Sequence, residues 1–148
     1  MYRSGDTVNL GADAYDYAYI GEAEKLNNGS GSSYGNSFTT NDIIGIAVDL
    51  DNLKIYFSKN GTWQASGDPT SGATGTGALI TLDSTDLSKF LFPAVTNASN
   101  ATYYKFNFGN PAYSISSGNS DENGFGNFEY SVPSGYLAIC SKNLGENG

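Results

Sequence analysis

The sequence predicts an all-β fold of antiparallel strands, with about nine or ten strands and at most one short helical turn. Residues 41–63 alternate large and small side chains as two successive strands do. The 148-residue chain contains 19 Gly, 11 Tyr and 8 Phe, which is typical of turn-rich β structure with aromatic packing. Long runs of helix-forming residues at a helical period are missing. A single domain over residues 1–148 is therefore expected.

The centre of the predicted fold is a hairpin. Residues 43–50 place large aliphatic side chains at every second position, which is the pattern of a strand with one large-residue face. Residues 51–52 (Asp-Asn) suit a turn, and residues 54–58 alternate again. Residues 60–61 (Asn-Gly) both accept a positive φ, so they are expected to close the second strand in a tight turn.

Three tyrosines precede the hairpin at alternate positions. Residues 15–20 are predicted to form a strand that carries Tyr15, Tyr17 and Tyr19 on one face. Two interpretations remain open at this point. The tyrosines either pack under a loop, as is common on half-buried sheets, or form an exposed aromatic ladder that binds sugar or peptide. A weaker strand candidate covers residues 7–10.

The remaining elements are shorter. Residues 64–77 lack apolar patterning, and this long loop is expected to be either a mobile surface excursion or a functional loop. One capped helical turn, with Ser84 as N-cap, is expected near residues 84–91. The tail from residue 142 onward is expected to fray. Further strands are predicted over residues 78–82, 92–95, 102–108, 128–132 and 136–140.

The charge of the chain narrows the class of partner. The net charge is −8, with seven basic residues and no histidine, so a nucleic-acid partner is not expected. Membrane insertion is not expected either, because no apolar run is long enough to span a bilayer.

The single cysteine, Cys140, cannot form an internal disulfide and is expected to be buried. With no signal peptide visible, a virion or extracellular location would be reached by another route such as lysis; a cytoplasmic location is the alternative.

Catalysis is not expected, and neither is a metal or another cofactor. Without histidine the chain lacks a Ser/His/Asp or Cys/His arrangement. The candidates for a glycosidase pair are Glu22 with Glu24 and Asp49 with Asp51, and a turn explains the second pair. Residues 49–52 and Asp68 offer oxygen ligands but not the pattern of an EF-hand loop. A lectin-like calcium site assembled from separate loops stays open.

A family resemblance adds to these inferences. Residues 49–51 (Asp-Leu-Asp) and 57–63 (Phe-Ser-Lys-Asn-Gly-Thr-Trp) resemble the signature of SPRY domains, which are concanavalin-like β-sandwiches. Residues 92–95 (Phe-Pro-Ala-Val) and 106–109 (Phe-Asn-Phe-Gly) are similar to later parts of that pattern. The matches follow the order expected for the family. The resemblance implies an antiparallel concanavalin-like β-sandwich of jelly-roll type, a rigid fold whose loops recognise a ligand.

One part of the family pattern is missing. SPRY domains usually begin with strands rich in Trp and Tyr, and these are not found before Tyr2. An incomplete sandwich exposes a sheet edge, which tends to recruit another strand. Either self-association through this edge or a rearranged N-terminus is therefore expected.

The resemblance implies a binding module without chemistry of its own. Residues 124–144 resemble the C-terminal end of SPRY-like modules in large marine phage and metagenomic proteins. A non-catalytic recognition domain of a phage or marine bacterial surface protein, such as a tail fibre or adhesin, is therefore expected. Its ligand is expected to be a protein or a surface glycan. The alternatives are a structural virion decoration or spacer domain, and a carbohydrate-binding lectin-like or glycosidase domain.

Six residues are candidate ligand contacts. If Trp63 is exposed, it is the first candidate, with Tyr34 and Asp68 on loops that converge near it. If Trp63 is partly buried, as the family resemblance implies, it packs beside the end of the hairpin. The full set is Trp63, Tyr34, Asp68, Tyr15, Tyr17 and Tyr19.

Overall fold

The computed structural model describes residues 9–83, 91–97 and 103–147. In these residues two antiparallel sheets form, one in the order β1-β2-β3 and one in the order β4-β5-β6, with β7 also paired to β5. The strands are β1 (Ala18–Ile20), β2 (Glu24–Asn27), β3 (Ser30–Ser33), β4 (Ile44–Asp49), β5 (Lys54–Lys59), β6 (Thr62–Trp63) and β7 (Ile80–Thr81). Two 3₁₀ turns, Gln64–Ser66 and Gly72–Thr74, and one helix, α1 (Ser141–Asn147), complete the elements. The prediction of an antiparallel all-β fold is confirmed.

The two sheets share one aromatic core. Tyr19 lies at its centre, and its ring meets Tyr34 edge-on at 5.5 Å, Phe38 at 4.9 Å and Phe57 at 5.6 Å between centroids. Tyr19 comes from the first sheet and Phe57 from the second, so this cluster joins the sheets. Aromatic pairs in these geometries stabilise a core beyond the area that they bury. Leu79, which is 1% exposed, closes the cluster.

The predicted hairpin forms with the register that the sequence indicates. β4 and β5 pair from Ile44 opposite Lys59 to Asp49 opposite Lys54. Asn60 and Gly61 have φ values of 48° and 79°, which confirms the tight turn after β5. The turn between the strands spans residues 50–53, and its positive φ of 60° falls on Leu53 rather than on the Asp-Asn pair. The carboxylate of Asp49 accepts hydrogen bonds from the backbone and side chain of Asn52 and fixes this turn.

The hairpin is covered on both of its faces. Ile44 and Phe57 on one face pack against the core of the first sheet. On the other face Tyr56 is fully buried, and its hydroxyl lies 3.5 Å from the Ser71 hydroxyl in the loop of residues 64–77. The hydroxyl of Tyr136 donates a hydrogen bond to the Pro69 carbonyl at 2.8 Å, so the C-terminal part of the chain packs on the same loop.

The predicted tyrosine strand is corrected by the structure. β1 begins only at Ala18, because residues 13–16 form a turn in which the Asp16 amide donates to the Asp13 carbonyl. The side chain of Asn27 holds this turn through the carbonyls of Ala14 and Asp16, at 3.0 and 2.9 Å. Tyr15 and Tyr17 therefore precede the strand, and the aromatic ladder of three tyrosines does not form.

The C-terminal predictions are also corrected. The described parts of the strands predicted over residues 92–95, 102–108, 128–132 and 136–140 have no ladder, apart from one isolated bridge between Asn119 and Phe128. Polar side chains take up backbone groups instead, as when Asn107 Nδ2 donates to the Asn127 carbonyl at 2.9 Å. In the tail, residues 141–147 form α1.

Part of the sequence prediction lies outside the described residues. This applies to most of the strand candidate at residues 7–10, to the capped turn beginning at Ser84 and to the start of the strand from residue 102. The described ranges contain seven strands, fewer than were predicted for the whole chain. A search of the same ranges found no helix with the length and apolar character of a bilayer span.

Candidate functional site

Tyr19 and Tyr34 lie in the core rather than at a surface. They are 8% and 4% exposed, and burial raises the pKa of both hydroxyls. The Tyr34 hydroxyl donates to the Gly77 carbonyl at 3.2 Å and accepts from the Phe57 amide at 3.4 Å. The Tyr19 hydroxyl donates to the Asn36 carbonyl. In this structure both residues therefore position loops and do not face solvent.

Trp63 and Asp68 lie at the start of the loop of residues 64–77. Trp63 is half-buried and forms the end of β6. The exposed Asp68 accepts hydrogen bonds from the side chain and amide of Thr70, at 2.6 and 2.9 Å, which lower the pKa of its carboxyl. The Asp68 amide donates to the Thr76 carbonyl at 3.0 Å. Hydrogen bonds thus tie the loop across its width.

Gln64 anchors the start of this loop, and the sequence patterns did not single it out. Its side chain is 2% exposed, with Oε1 accepting from the Asn36 amide at 2.7 Å and from the Tyr19 hydroxyl at 3.3 Å. Its Nε2 donates to the Thr62 carbonyl at 2.7 Å. The partners lie up to 45 residues away in the chain, so no local pattern reveals this role.

A cleft opens where the first sheet meets β7. Its volume is about 280 Å³, and Tyr17 forms part of its wall. Lys25 reaches across it and donates to the Leu79 carbonyl at 2.8 Å, which joins the two sheets at this point. We call it the junction cleft, and its lining residues are Tyr17, Lys25, Leu26, Asn27, Ser30, Gly31, Ser32, Leu79 and Ile80. Of the six candidate contacts, only Tyr17 lines this cleft; Tyr15, 63% exposed, lies two residues before it in the chain.

The strand β3 borders the junction cleft with an unpaired edge. Among the described residues β3 pairs only with β2, and all four of its residues are exposed. The two-residue turn Asn28-Gly29, with φ values of 50° and 68°, makes Asn27 and Ser30 a hydrogen-bonded pair. Because such pairs alternate along a ladder, the backbone groups of Gly31 and Ser33 point away from β2. They are available to an added strand.

Carboxylates in the described ranges do not assemble a metal site, since no group of three metal-ligating side chains was found there. Among the described carboxylates Asp121 has the lowest exposure, at 6%. Burial raises its pKa, but hydrogen bonds from the Ala138 amide, the Asn143 side chain and the amides of Phe125 and Asn123 outweigh burial and lower the pKa below its ordinary value. This carboxylate is occupied by donors and acts as a clamp on the C-terminal part of the chain.

Comparison with known proteins defines the family. Residues 1–111 match the SPRY domain. The chain belongs to the SPRY domain family. Within that match lie both sheets, the junction cleft and the loop of residues 64–77. The SPRY resemblance of the hairpin sequence is therefore confirmed.

Individual relatives match shorter segments. The chain is 38% identical over 55 residues to the ATP-dependent RNA helicase DDX1 of Xenopus laevis, which covers 37% of this chain and 7% of that protein. It is 40% identical over 64 residues to Ran-binding protein 9 and to Ran-binding protein 10 of Danio rerio, which covers 39% of this chain and 11% of each of those proteins. The matched segments are thus a small part of these relatives.

Proposed function

We propose that this SPRY domain is a protein-interaction module that binds an extended segment of a partner protein at the junction cleft. The observation that carries the proposal is the position of the cleft beside the unpaired edge of β3. An added strand gains backbone hydrogen bonds along a sheet edge, and pockets beside that edge select alternate side chains. Here the sheet edge and the cleft lie side by side, because β3 provides both the unpaired edge and part of the cleft wall.

The size and lining of the cleft favour a side chain over a free small molecule. Its 280 Å³ lies just below the range of typical small-molecule pockets, about 300–1,000 Å³. Leu26, Leu79 and Ile80 supply apolar walls, and the Lys25 ammonium is already engaged by a carbonyl. One apolar side chain of a bound segment fits this environment. A surface glycan would meet Tyr17 as the single aromatic ring among the lining residues, so it fits less well.

The family supports a protein ligand. Two of the relatives are named as Ran-binding proteins, and the segment that they share with this chain covers 39% of this chain. The alignment covers little of those proteins, so neither their ligand nor their other activities are carried over. What the likeness supports is the class of ligand, a protein surface or segment.

The module is also proposed to be non-catalytic and to need no cofactor. The absence of histidine from the sequence supports this, as does the use of the Asp49 carboxylate to fix a turn. Incubation with β-glucans tests it. Hydrolysis that is lost on Glu22→Gln or Glu24→Gln would overturn the proposal.

The protein that carries this module is proposed to be a phage or marine bacterial surface protein, such as a tail fibre or adhesin. The support is the resemblance of residues 124–144 to the C-terminal end of such modules. Virion genes on either side of the coding sequence are the expected finding. A neighbourhood of housekeeping genes would contradict the proposal.

Peptides that bind the domain are first selected from a random displayed library and then synthesised. Their binding to the unchanged protein and to variants tests the site. Ser32→Trp places a large ring in the junction cleft from an exposed strand position, so it should weaken binding of those peptides at least ~10-fold. Ser33→Trp is the matched control, because successive side chains of a strand point to opposite faces. It should leave the affinity within ~2-fold of the unchanged protein. Equal loss in both variants, or no loss in Ser32→Trp, would overturn the proposed site.

A further inference from the structure

The outer edge of β4 is a second surface with an unusual character. β4 lies at the end of its sheet, and among the described residues β5 is its one strand partner. At six residues it is twice the length of β1 and three times that of β7. A strand edge presents a row of backbone donors and acceptors to any chain that can lie beside it.

The ladder between β4 and β5 shows which backbone groups face outward. The Asn60 amide donates to the Ile43 carbonyl at 2.8 Å, so this pair is hydrogen-bonded. Hydrogen-bonded and non-hydrogen-bonded pairs alternate along an antiparallel ladder. The amides and carbonyls of Ile44, Ile46 and Val48 therefore point away from β5.

This edge is more apolar than the edge of β3, which consists of Ser and Gly. Next to β7, the Leu79 carbonyl already accepts a hydrogen bond from Lys25. β4 has apolar residues from Ile44 to Val48, with no charge and no proline. Ile46, at the middle of the strand, is 49% exposed.

We propose that the β4 edge binds a second copy of this chain, with the two β4 strands antiparallel and Ile46 on the two-fold axis. In that register Ile46 pairs with Ile46 of the second copy, and Ile44 pairs with Val48. Each of these pairs consists of residues whose backbone groups face outward, so every pair exchanges both of its hydrogen bonds. The arrangement is self-complementary, as a two-fold interface requires. It extends the sheet across the dimer and covers the exposed Ile46.

The edge itself carries no charge that opposes a second copy, and the charge of the whole chain sets the conditions for assembly. The segment from Ile44 to Val48 carries no charge, so the paired strands bring no like charges directly opposite each other. Each whole chain has a net charge of −8, which repels the other copy at long range. Salt screens such repulsion, with a Debye length of about 10 Å at 0.1 M. Dimerisation should therefore strengthen as salt is added.

Sedimentation velocity of the full chain, over a range of protein concentrations, tests the proposal. It is measured at low salt and at roughly 0.5 M salt, where the Debye length is well under 10 Å. The expected result is a monomer–dimer equilibrium that shifts toward dimer with salt. Ile46→Lys places two like charges together at the axis and should weaken association at least ~10-fold. Tyr103→Lys is the matched control, because it makes the same change in charge at a side chain that is 90% exposed and lies outside β4. It should associate as the unchanged protein does.

A cross-link identifies the register. In the Cys140→Ser background, Ile46→Cys should form an intermolecular disulfide, since the Cα atoms of a hydrogen-bonded pair lie about 5.5 Å apart and disulfides span that distance. Leu50→Cys in the same background should not. A monomer at all concentrations, open-ended oligomers, equal loss with both lysine variants, or a cross-link from Leu50→Cys alone would each overturn the proposal. The Ser32→Trp change should not affect the dimer, so this inference and the proposed peptide site fail separately.

Discussion

Residues 9–83 and the described residues between 91 and 147 are held together in different ways. All the buried apolar side chains of the described ranges, except Ala138, lie in the first region. Most of the exposed large apolar side chains lie in the second, where Tyr103 is 90% exposed and Phe92 is 69% exposed. The first region is ordered by strand ladders and a shared aromatic core. The second region depends on polar side chains that bind the backbone.

The polar contacts of the second region are specific. Asp121 accepts from the Ala138 amide at 2.9 Å and from Asn143 Nδ2 at 2.6 Å, which fixes the approach to α1. The carboxylate of Glu129 accepts from the Ser116 amide at 2.8 Å. These bonds satisfy backbone groups that a ladder would otherwise use. The comparison teaches that alternation in sequence yields a ladder where a partner strand lies beside it, and that polar side chains satisfy the backbone where no partner strand does.

The largest effect is expected from two variants that sharpen this contrast, each of which removes one aromatic ring from one of the two regions. Tyr56→Ala deletes a fully buried ring and should lower the free energy of unfolding by about 4 kcal/mol. Phe108→Ala removes a ring that is 44% exposed and stacked on Phe106, and should cost below about 1 kcal/mol. Urea unfolding followed by tyrosine fluorescence measures both. Equal losses would show that the two regions do not differ in packing.

The next largest effect is expected at Asp121, whose carboxylate clamps the C-terminal part of the chain. Asp121→Ala leaves the Ala138 and Phe125 amides without their acceptor and should destabilise the C-terminal region by about 2 kcal/mol. Hydrogen exchange should then accelerate in residues 119–147 and stay unchanged in β4 and β5. Glu122→Ala is the neighbouring control, since the exposed Glu122 carboxylate accepts from Ser134 and Gly135 only. Equal acceleration in both regions would contradict the division drawn here.

Acid should act on the same clamp. The pKa of Asp121 lies below its ordinary value, so the folded chain favours the ionised carboxylate. Its contribution is complete above the pKa of an unfolded Asp, about 3.9, and is lost as pH falls through the lowered folded value. Exchange in residues 119–147 should therefore accelerate below about pH 4. Asp121→Asn should remove most of that pH dependence; an unchanged acid response in this variant would assign the transition to other carboxylates.

The hairpin could be predicted from the sequence down to its closing turn, because the alternation and the Asn60-Gly61 pair are local signals. The junction cleft could be predicted only through Tyr17. Its other walls meet through Lys25 and Leu79, which lie 54 residues apart, and neither has a distinctive neighbourhood in the sequence. The C-terminal strands were predicted wrongly for a related reason. A period-two pattern such as residues 103–108 specifies a face but not the partner that would complete a ladder.

The smallest expected effect tests whether local backbone strain belongs to the well-packed region. Non-glycine residues with positive φ occur in residues 9–83, whereas in residues 91–147 the positive φ values described fall on glycines. Ala65 is exposed with φ at 54°, so Ala65→Gly should raise the free energy of unfolding by about 1 kcal/mol. Ala73→Gly, in the second 3₁₀ turn of the same loop, should lower it by about 0.5 kcal/mol, because Ala73 has no positive φ to relieve. Opposite signs in urea unfolding would locate the strain in Ala65, and a loss in both variants would show that the surrounding hydrogen bonds already offset it.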